Sequence, residues 1–219
     1  MSNQLGTYDI QRNTYSGQTI FLMRHGQTDS SGPERYIGRT DIPLDATGRE
    51  QARQWAGRFS EKPPARIISS NLTRSIETAS IIASACGTPM EEIAAFSEID
   101  LGQWEGRTLE EIRTNHPAEF AERGKDLAGY RPPGGESFGD LQGRCLPVFN
   151  ELVEQTQGDL LIVGHAGVNR VLLCHILEMP LSHLFWLAQA YGCLNILTRR
   201  RDEWFLTGLN LTSETIDIV

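Results

Sequence analysis

The segment DLLIVGHAG, residues 159–167, constrains the fold more than any other stretch of the sequence. Its four consecutive apolar residues, 160–163, predict a strand buried on both faces, which is the usual environment of a strand in a parallel sheet. The run ends in Gly164 and His165, and VNRVLLCHILEM follows with the pattern of a helix. A doubly buried strand that leads into a helix predicts a sheet covered by helices.

The same alternation of strands and helices extends along the chain. Short strands are predicted over 19–23, 65–69 and 93–96, and a hairpin over 191–210 that turns at Arg201-Asp202. Helices are predicted over 44–59, 71–86 and 108–122, and from residue 137 onward. We therefore predict a three-layer α/β/α sandwich with a mostly parallel central sheet.

Capping residues and apolar spacing mark the helix ends and their buried faces. Asp45 is a predicted N-cap, Gly87 suits a C-terminal end, and Thr108 and Ser137 each begin a capping box. Pro147 lies inside the helix after Ser137 and allows a kink there. The predicted inward faces are Leu72, Ile76, Ala79, Ala83 and Cys86 in one helix, and Leu141, Cys145, Val148, Phe149 and Leu152 in the other.

Composition and charge narrow the possible functions. The chain has 219 residues and a net charge of −8, so no nucleic-acid surface is expected and any anion site must be a local basic island. No apolar run is long enough for a membrane span, and residues 1–18 lack the apolar middle of a signal peptide. We expect a cytoplasmic protein with an extension over 1–18 and a single domain over 19–219. Its four cysteines lie in apolar segments without C-x-x-C, so we expect buried free thiols.

Chemically capable side chains follow the predicted strands. The first strand ends in Arg24-His25-Gly26, the second is followed by Arg74, a third leads to Glu98, and the apolar strand ends at His165. In an open α/β sheet ligands bind beyond the carboxyl ends of the strands. Two histidines, two arginines and one carboxylate are therefore predicted to converge on one edge.

This set of residues suits covalent phosphoryl transfer. The planar guanidinium group of arginine donates paired hydrogen bonds to a phosphoryl group and keeps its charge. A histidine among arginines is biased toward the neutral imidazole, which is a nucleophile. Glu98 is the predicted proton donor to the leaving group, although Asp100 and Glu105 lie close enough in sequence to remain alternatives.

Four separated motifs resemble those of the histidine phosphatase superfamily, also called the phosphoglycerate mutase-like family. Their order along residues 19 to about 170 makes the resemblance specific, whereas R-H-G alone would be a weak signal. The matching segments are RHGQT at 24–28 with ERYIGRTDIPLDATGREQA after it, SSNLTRSIETA at 69–79, SEIDLGQWEG at 97–106, and GHAGVNR at 164–170.

The resemblance implies an α/β sandwich, no metal or other cofactor, and a phosphohistidine formed on His25. It implies that Arg24, Arg74 and His165 bind the phosphoryl oxygens and that Glu98 donates the proton. Ser31 stands where mutases of the family commonly have an asparagine that touches the phosphate. Substrate contacts are expected from Thr28, Ser31, Arg35, Tyr36 and Ala166, with ordinary turn chemistry an equal alternative for Arg35, Tyr36 and the RPPGGES loop at 131–137.

Hydrolases and mutases share the phosphohistidine step and differ in the acceptor. The segment between Glu105 and Ser137 mixes acids and bases without a basic cluster, which favours a phosphatase over a phosphoglycerate mutase. RYIGRTD, PGGES and AQAYGCLN resemble the branch that contains α-ribazole phosphatase, so an α-ribazole 5′-phosphate substrate is a hypothesis. A non-catalytic phospho-ligand-binding module is the third alternative. The expected partner is a small phosphorylated metabolite, and the expected assembly is a monomer or homodimer.

Overall fold

A computed structural model describes residues 17–29, 33–201 and 203–213. Six strands form one sheet in the order β3-β2-β4-β1-β5-β6. β1, β2, β3 and β4 pair in parallel, β5 runs antiparallel to β1, and β6 runs antiparallel to β5. The strands are β1 Gln18–Arg24, β2 Arg66–Ser69, β3 Met90–Glu92, β4 Leu160–Gly164, β5 Leu194–Arg200 and β6 Glu203–Leu211.

The doubly buried strand predicted from DLLIVGHAG is confirmed. β4 lies between β2 and β1 near the centre of the sheet, and all five of its residues are buried. Its register with β1 places Arg24 opposite Gly164. His25 and His165 therefore leave the sheet side by side at the same edge.

The helices cover both faces of the sheet, which confirms the three-layer α/β/α prediction. On one face, α1 and α2 bury Trp55, Phe59 and Ile82 against Phe21 and Met23 of β1. On the other face, α5 and α6 pack against the opposite side chains of β1 and β4. The helices are α1 Ala46–Glu61, α2 Thr73–Cys86, α3 Leu109–Asn115, α4 Pro117–Lys125, α5 Phe138–Gln155 and α6 Ala166–Ile176.

The predicted helix ends are confirmed. Asp45 accepts a hydrogen bond from the Gly48 amide at 2.7 Å, and Gly87 ends α2 with a φ of 68°. Complete capping boxes are present at Thr108 and Ser137. α5 continues through Pro147 as one helix, and β5 and β6 form the predicted hairpin, with Arg200 paired to Glu203; Asp202 of the predicted turn lies outside the described residues.

Two predicted elements are wrong in detail. Residues 93–96 form no strand: β3 ends at Glu92, and Ala94–Phe96 is a 3₁₀ turn that brings the chain back toward the sheet edge. The helix predicted over 108–122 is two helices, because Pro117 disfavours a helical conformation at the preceding His116. The new helix then begins at Pro117, where a missing N–H costs nothing.

The buried face of α2 also differs from the apolar pattern. Ala79 is buried as predicted, but Ile76, Ala83 and Cys86 are only partly buried. Polar side chains are buried in the N-terminal half of α2 instead, because that end of the helix faces the site beyond the strands. The buried residues of α2 are Arg74, Ser75, Thr78, Ala79 and Ile82. In α5, Val153 is fully buried instead of Val148, which packs at the edge of the core.

The remaining predictions concern the chain start and the thiols. Residues 1–16 of the predicted extension lie outside the described residues, and β1 begins at Gln18, one residue earlier than predicted. Cys145, Cys174 and Cys193 are buried free thiols, and Cys86 is a partly buried one. None of the helices in the described part of the chain combines the length and apolar character needed to cross a bilayer.

Two glycines give a matched test of the helix assignments. A Cβ atom at Gly57 in α1 or at Gly87 would meet nothing within 4 Å, so packing does not decide either substitution. Gly57→Ala should raise the free energy of unfolding by about 0.5–1 kcal/mol, because Gly57 is exposed within a helix. Gly87→Ala should lower it by about 1 kcal/mol, because its φ is left-handed. Urea titrations of both variants check the opposite signs, and a stabilising Gly87→Ala would contradict this C-cap.

Candidate active site

His25 is held as a neutral imidazole with one reactive nitrogen. Its amide donates to the Gly164 carbonyl at 3.0 Å, and its side chain is buried beyond β1. Nδ1 lies 2.7 Å from the Gly26 carbonyl, which can only accept, so Nδ1 carries the proton. The lone pair is therefore on Nε2, which accepts from Nε of Arg74 at 3.2 Å.

Arg74 is buried at 2% exposure and held by backbone carbonyls. Nη1 donates to the Thr40 carbonyl at 2.8 Å and Nη2 to the Gly38 carbonyl at 2.6 Å. Glu105 in turn fixes this loop, because its carboxylate accepts from the amides of Gly38 and Arg39 at 3.1 and 2.7 Å. It also accepts from the Thr40 hydroxyl at 2.7 Å. Glu105 thus positions Arg74 through the loop at 38–40.

Arg24 supplies a second, partly buried guanidinium group beside His25. Its Nη1 donates to the Gln189 carbonyl at 2.6 Å, and its central carbon lies 3.7 Å from the ring centre of Tyr191. Nε is buried and has no hydrogen-bond partner among the described residues. The ring of Tyr191 is also 5.6 Å from that of His25. An unpartnered N–H next to the imidazole is available to an anion.

His165 stands directly beyond β4, at the N-cap of α6. Its Nε2 lies 2.7 Å from the Ser70 hydroxyl, while its buried Nδ1 has no partner in the described chain. The ring centres of His165 and His25 are 5.2 Å apart. The two predicted histidines are therefore adjacent.

The sequence left three carboxylates as alternatives for the proton donor: Glu98, Asp100 and Glu105. Of these, Glu98 lines a cavity beside the site. It is 8% exposed, and its oxygens accept from the amides of Ile99 and Gly167, both at 2.9 Å. A Cβ at Gly167 would lie 2.4 Å from Glu98 Oε1, so the absence of a side chain there lets the carboxylate approach α6. Asp100 instead binds the Gly102 amide and pairs with Arg39 at 3.4 Å.

The cavity beside Glu98 has a volume of about 240 Å³. Arg35, Tyr36 and Ala166 line it, three of the residues predicted to contact substrate. Arg35 is engaged with the Gly106 carbonyl at 2.7 Å and with Glu111 at 3.6 Å. Part of the RPPGGES loop lines it too.

The remaining two predicted contacts do not join this cavity. Thr28 is buried in a bridge with Leu44 and is absent from the cavity lining. Ser31 lies outside the described residues.

Other residues of the site were not assigned roles from the sequence. Arg170 lines the cavity, and its Nε donates to the Leu187 carbonyl at 3.0 Å. Tyr191 and Gln189 hold Arg24, and Ser70 contacts His165. Arg170 and Tyr191 fall inside quoted motifs, GHAGVNR and AQAYGCLN, so a signal for them was present. The carbonyl of Gln189 left no signal, because any residue type carries one.

Burial and neighbouring positive charge keep both histidines neutral. Burial lowers the pKa of His25 well below 6.5, and the charges of Arg24 and Arg74 lower it further. Burial and then His25 and Arg74 lower the pKa of His165 in the same way. The site therefore combines fixed positive charge with a neutral nucleophile, an arrangement able to bind a tetrahedral oxyanion and attack its central atom. No group of three or more metal-ligating side chains occurs within the described ranges.

The lowered histidine pKa values make stability fall on acidification. Because both groups have an ordinary pKa of 6.5, the unfolded chain binds more protons below that pH than the folded chain does. His25 and His165 together should lower the free energy of unfolding by about 2 kcal/mol as the pH falls from about 7 to about 5.5. His25→Gln should lose about half of that dependence. Urea titrations across this range measure both slopes, and coincident slopes would show that His25 is protonated in the folded protein.

The loop contacts of Glu105 predict an effect on anion binding. Glu105→Gln keeps the shape of the side chain but removes one acceptor oxygen, so the carbonyls that hold Arg74 become less well fixed. Affinity for inorganic phosphate should fall roughly tenfold, about 1.4 kcal/mol, within the range of a hydrogen bond to a charged group. Calorimetric titration provides the measurement. Glu50→Gln, which removes an exposed ion pair with Arg53 on α1 away from the loop at 38–40, is the control and should bind phosphate normally.

Comparison with known proteins gives one family and several similar members. A family model for the histidine phosphatase superfamily (branch 1) matches residues 20–212. The chain is 35% identical to human 6-phosphofructo-2-kinase/fructose-2,6-bisphosphatase 4, over 80% of this chain and 39% of that protein. It is 33% identical to glucosyl-3-phosphoglycerate phosphatase of Mycolicibacterium vanbaalenii, over 75% of this chain and 76% of that one.

Solved structures show the same fold. The α-ribazole phosphatase from Shigella flexneri superposes with a TM-score of 0.82 at 25% identity, covering 92% of this chain and 100% of that one. The chain spans about two fifths of the length of the bifunctional relatives it matches. The family match extends over nearly all the described residues and over each of the four motifs that build the site. The chain belongs to the histidine phosphatase superfamily, branch 1.

Proposed function

We propose that this protein hydrolyses phosphomonoesters through a phosphohistidine formed on Nε2 of His25. The observation that carries the proposal is the hydrogen bonding of that ring. Nδ1 is committed to the Gly26 carbonyl, so Nε2 holds the lone pair and points at the guanidinium group of Arg74. A phosphoryl group seated on Arg74 would therefore have its phosphorus within reach of the nucleophile.

In the first step the Nε2 lone pair attacks phosphorus and the ester P–O bond breaks. Arg24, Arg74 and His165 supply the surrounding donors. Two of the atoms, Nε of Arg24 and Nδ1 of His165, have no hydrogen-bond partner in the part of the chain that the structure describes. Glu98 transfers a proton to the departing oxygen, so the leaving group departs as an alcohol. Its position at the cavity, where a leaving group can extend, supports this role.

In the second step water attacks the phosphohistidine. The water proton passes to the Glu98 carboxylate, the P–N bond breaks, and its electron pair returns to Nε2. Orthophosphate is released, and both His25 and Glu98 regain their starting protonation states. The cycle needs no co-reactant other than water.

Hydrolysis is favoured over transfer to a second phosphoglycerate by the charges around the cavity. Its lining contains Arg35, Arg123 and Arg170 together with Glu34, Glu98 and Glu136, a nominal balance of positive and negative charge. A mutase must hold a small, highly anionic acceptor, which this balance does not favour. The relatives also have names that include bisphosphatase or phosphatase.

Two substrates are specific candidates. The loops RYIGRTD, PGGES and AQAYGCLN favour α-ribazole 5′-phosphate, in line with the fold match to an α-ribazole phosphatase. The higher identity to a glucosyl-3-phosphoglycerate phosphatase favours glucosyl-3-phosphoglycerate. Initial rates on both, with 3-phosphoglycerate and sugar phosphates alongside, rank them. Faster interconversion of phosphoglycerates than phosphate release would replace the hydrolase proposal with a mutase.

Substitution of the nucleophile and of the acid gives the mechanistic test. His25→Ala should reduce hydrolysis of p-nitrophenyl phosphate by at least about a thousandfold, because it removes the nucleophile that forms the covalent intermediate. Glu98→Gln should slow hydrolysis of an alkyl phosphate by about a hundredfold or more, and that of p-nitrophenyl phosphate far less, because nitrophenolate leaves without a proton. Initial rates measure both effects.

The intermediate itself can be trapped. Rapid alkaline quenching of a turnover reaction should yield a phosphorylated peptide containing His25, because phosphohistidine is stable in base. His175→Ala is the control for both experiments, since that histidine is exposed on α6 and should leave rates and labelling unchanged. Wild-type rates in His25→Ala would exclude the covalent mechanism.

A further inference from the structure

From the walls of the cavity beside Glu98 we infer that the leaving group carries an aromatic or heteroaromatic ring. The inference rests on the proposed function, because it assigns the part of the substrate that departs when phosphorus is transferred. Glu98, Ala166 and Gly167 line this cavity, and Ala166 directly follows His165 in the chain, so the cavity adjoins the predicted phosphoryl site. A group bonded to the oxygen that Glu98 protonates therefore extends into it.

Two groups of aromatic side chains form the walls. In one group, the ring centre of Trp104 lies 5.6 Å from that of Tyr36 and 5.4 Å from that of Tyr130. Phe138 and Phe185 make the other, in an edge-to-face pair 5.7 Å apart. All five line the same cavity. Aromatic pairs at these separations present both ring faces and ring edges, the surfaces against which another ring packs favourably.

Arg123 and Arg170, which form no ion pair with the carboxylates that the structure describes, also face rings. The guanidinium carbon of Arg123 lies 5.9 Å from the ring centre of Tyr36 and 6.0 Å from that of Phe185. That of Arg170 lies 4.9 Å from the Phe185 ring. Guanidinium planes stack on flat rings as aromatic side chains do. A planar leaving group is thus matched by both kinds of wall.

The volume sets the size of this ring. A cavity of about 150 Å³ accepts benzene, and this one measures about 240 Å³. Pockets for drug-sized ligands are about 300 Å³ or larger. One ring, or two fused rings, joined to the phosphoryl oxygen by a short arm fits the space.

Phosphonates test this pocket without depending on turnover, because their C–P bond is not hydrolysed. The probes are 3-phenylpropylphosphonate, propylphosphonate, 3,4-dihydroxybutylphosphonate and 4-carboxybutylphosphonate, titrated calorimetrically into the wild-type protein. The phenyl probe should bind at least about tenfold more tightly than each of the others, because removing one aromatic ring from water contributes at least that much to binding. Equal affinities, tighter binding of the polyol or the carboxylate, or no binding of any probe would overturn the inference.

Two aromatic substitutions locate the preference. Phe185→Ala should remove most of the preference for the phenyl probe and leave affinity for propylphosphonate within about twofold. Phe185 is 45% exposed, so its loss should not unfold the chain. Trp186→Ala is the matched control: its side chain is 74% exposed and outside the cavity lining, so the preference should remain. Equal loss in both variants would place ring binding on the outer surface and overturn the inference.

Turnover separates this inference from the proposed function. Wild-type protein should hydrolyse 2-phenylethyl phosphate with a kcat/KM at least about tenfold above that for ethyl phosphate, two esters of similar leaving-group basicity. Preferential binding of the phenyl phosphonate with no hydrolysis of either ester would support the pocket and overturn the hydrolase. Hydrolysis of both esters at one rate, with equal phosphonate affinities, would support the hydrolase and overturn the pocket.

Discussion

The parallel pairing of β1 with β4 is the constraint on which the site depends. Arg24 lies opposite Gly164, and the His25 amide donates to the Gly164 carbonyl, so both histidines leave the sheet at one level. A slip of one residue would turn alternate side chains to the opposite face. Because both strands are buried in the centre of the sheet, their apolar side chains on both faces resist such a slip. The core thereby fixes the 5.2 Å separation of the imidazole rings.

Positive charge around His25 is held by carbonyl dipoles instead of carboxylates. Arg74 uses the carbonyls of Gly38 and Thr40, and Arg24 uses that of Gln189. Within the described residues neither arginine forms an ion pair, and the carboxylates of Glu98, Asp41 and Glu105 act on Arg74 only from beyond ion-pair distance. Burying a charge without such hydrogen bonds is very unfavourable. Carbonyls accept hydrogen bonds from the arginines and leave the positive charge free to act on an anion. The same positive charge lowers the pKa of His25.

Sequence reasoning predicted the layers, the central strand, the caps and the convergence of five charged or nucleophilic groups, because each depends on local pattern or on the direction of a strand. It failed where a tertiary contact decided the outcome. The apolar rule misplaced the inward face of α2, since Arg74 and Thr78 are buried there to serve the site. A three-residue strand such as β3 has too little periodicity to locate. The aromatic walls of the cavity could not be predicted from the sequence either, because Tyr36 and Phe185 are about 150 positions apart in the chain and both reach the same cavity only in the fold.

The first turns of α6 join the two halves of the site. His165 caps the helix, the Gly167 amide holds Glu98, and Arg170 one turn later lines the cavity. Movement of this helix would disturb His165, Glu98 and the lining of the cavity together. The aromatic side chains Tyr36, Tyr130 and Phe185, by contrast, come from separate segments. None of these segments holds a residue that is proposed to contact the phosphoryl group. Under the proposed function, replacing those rings would change the leaving group while α6 and the β1–β4 pair stay fixed, because the two parts of the site are built from different segments.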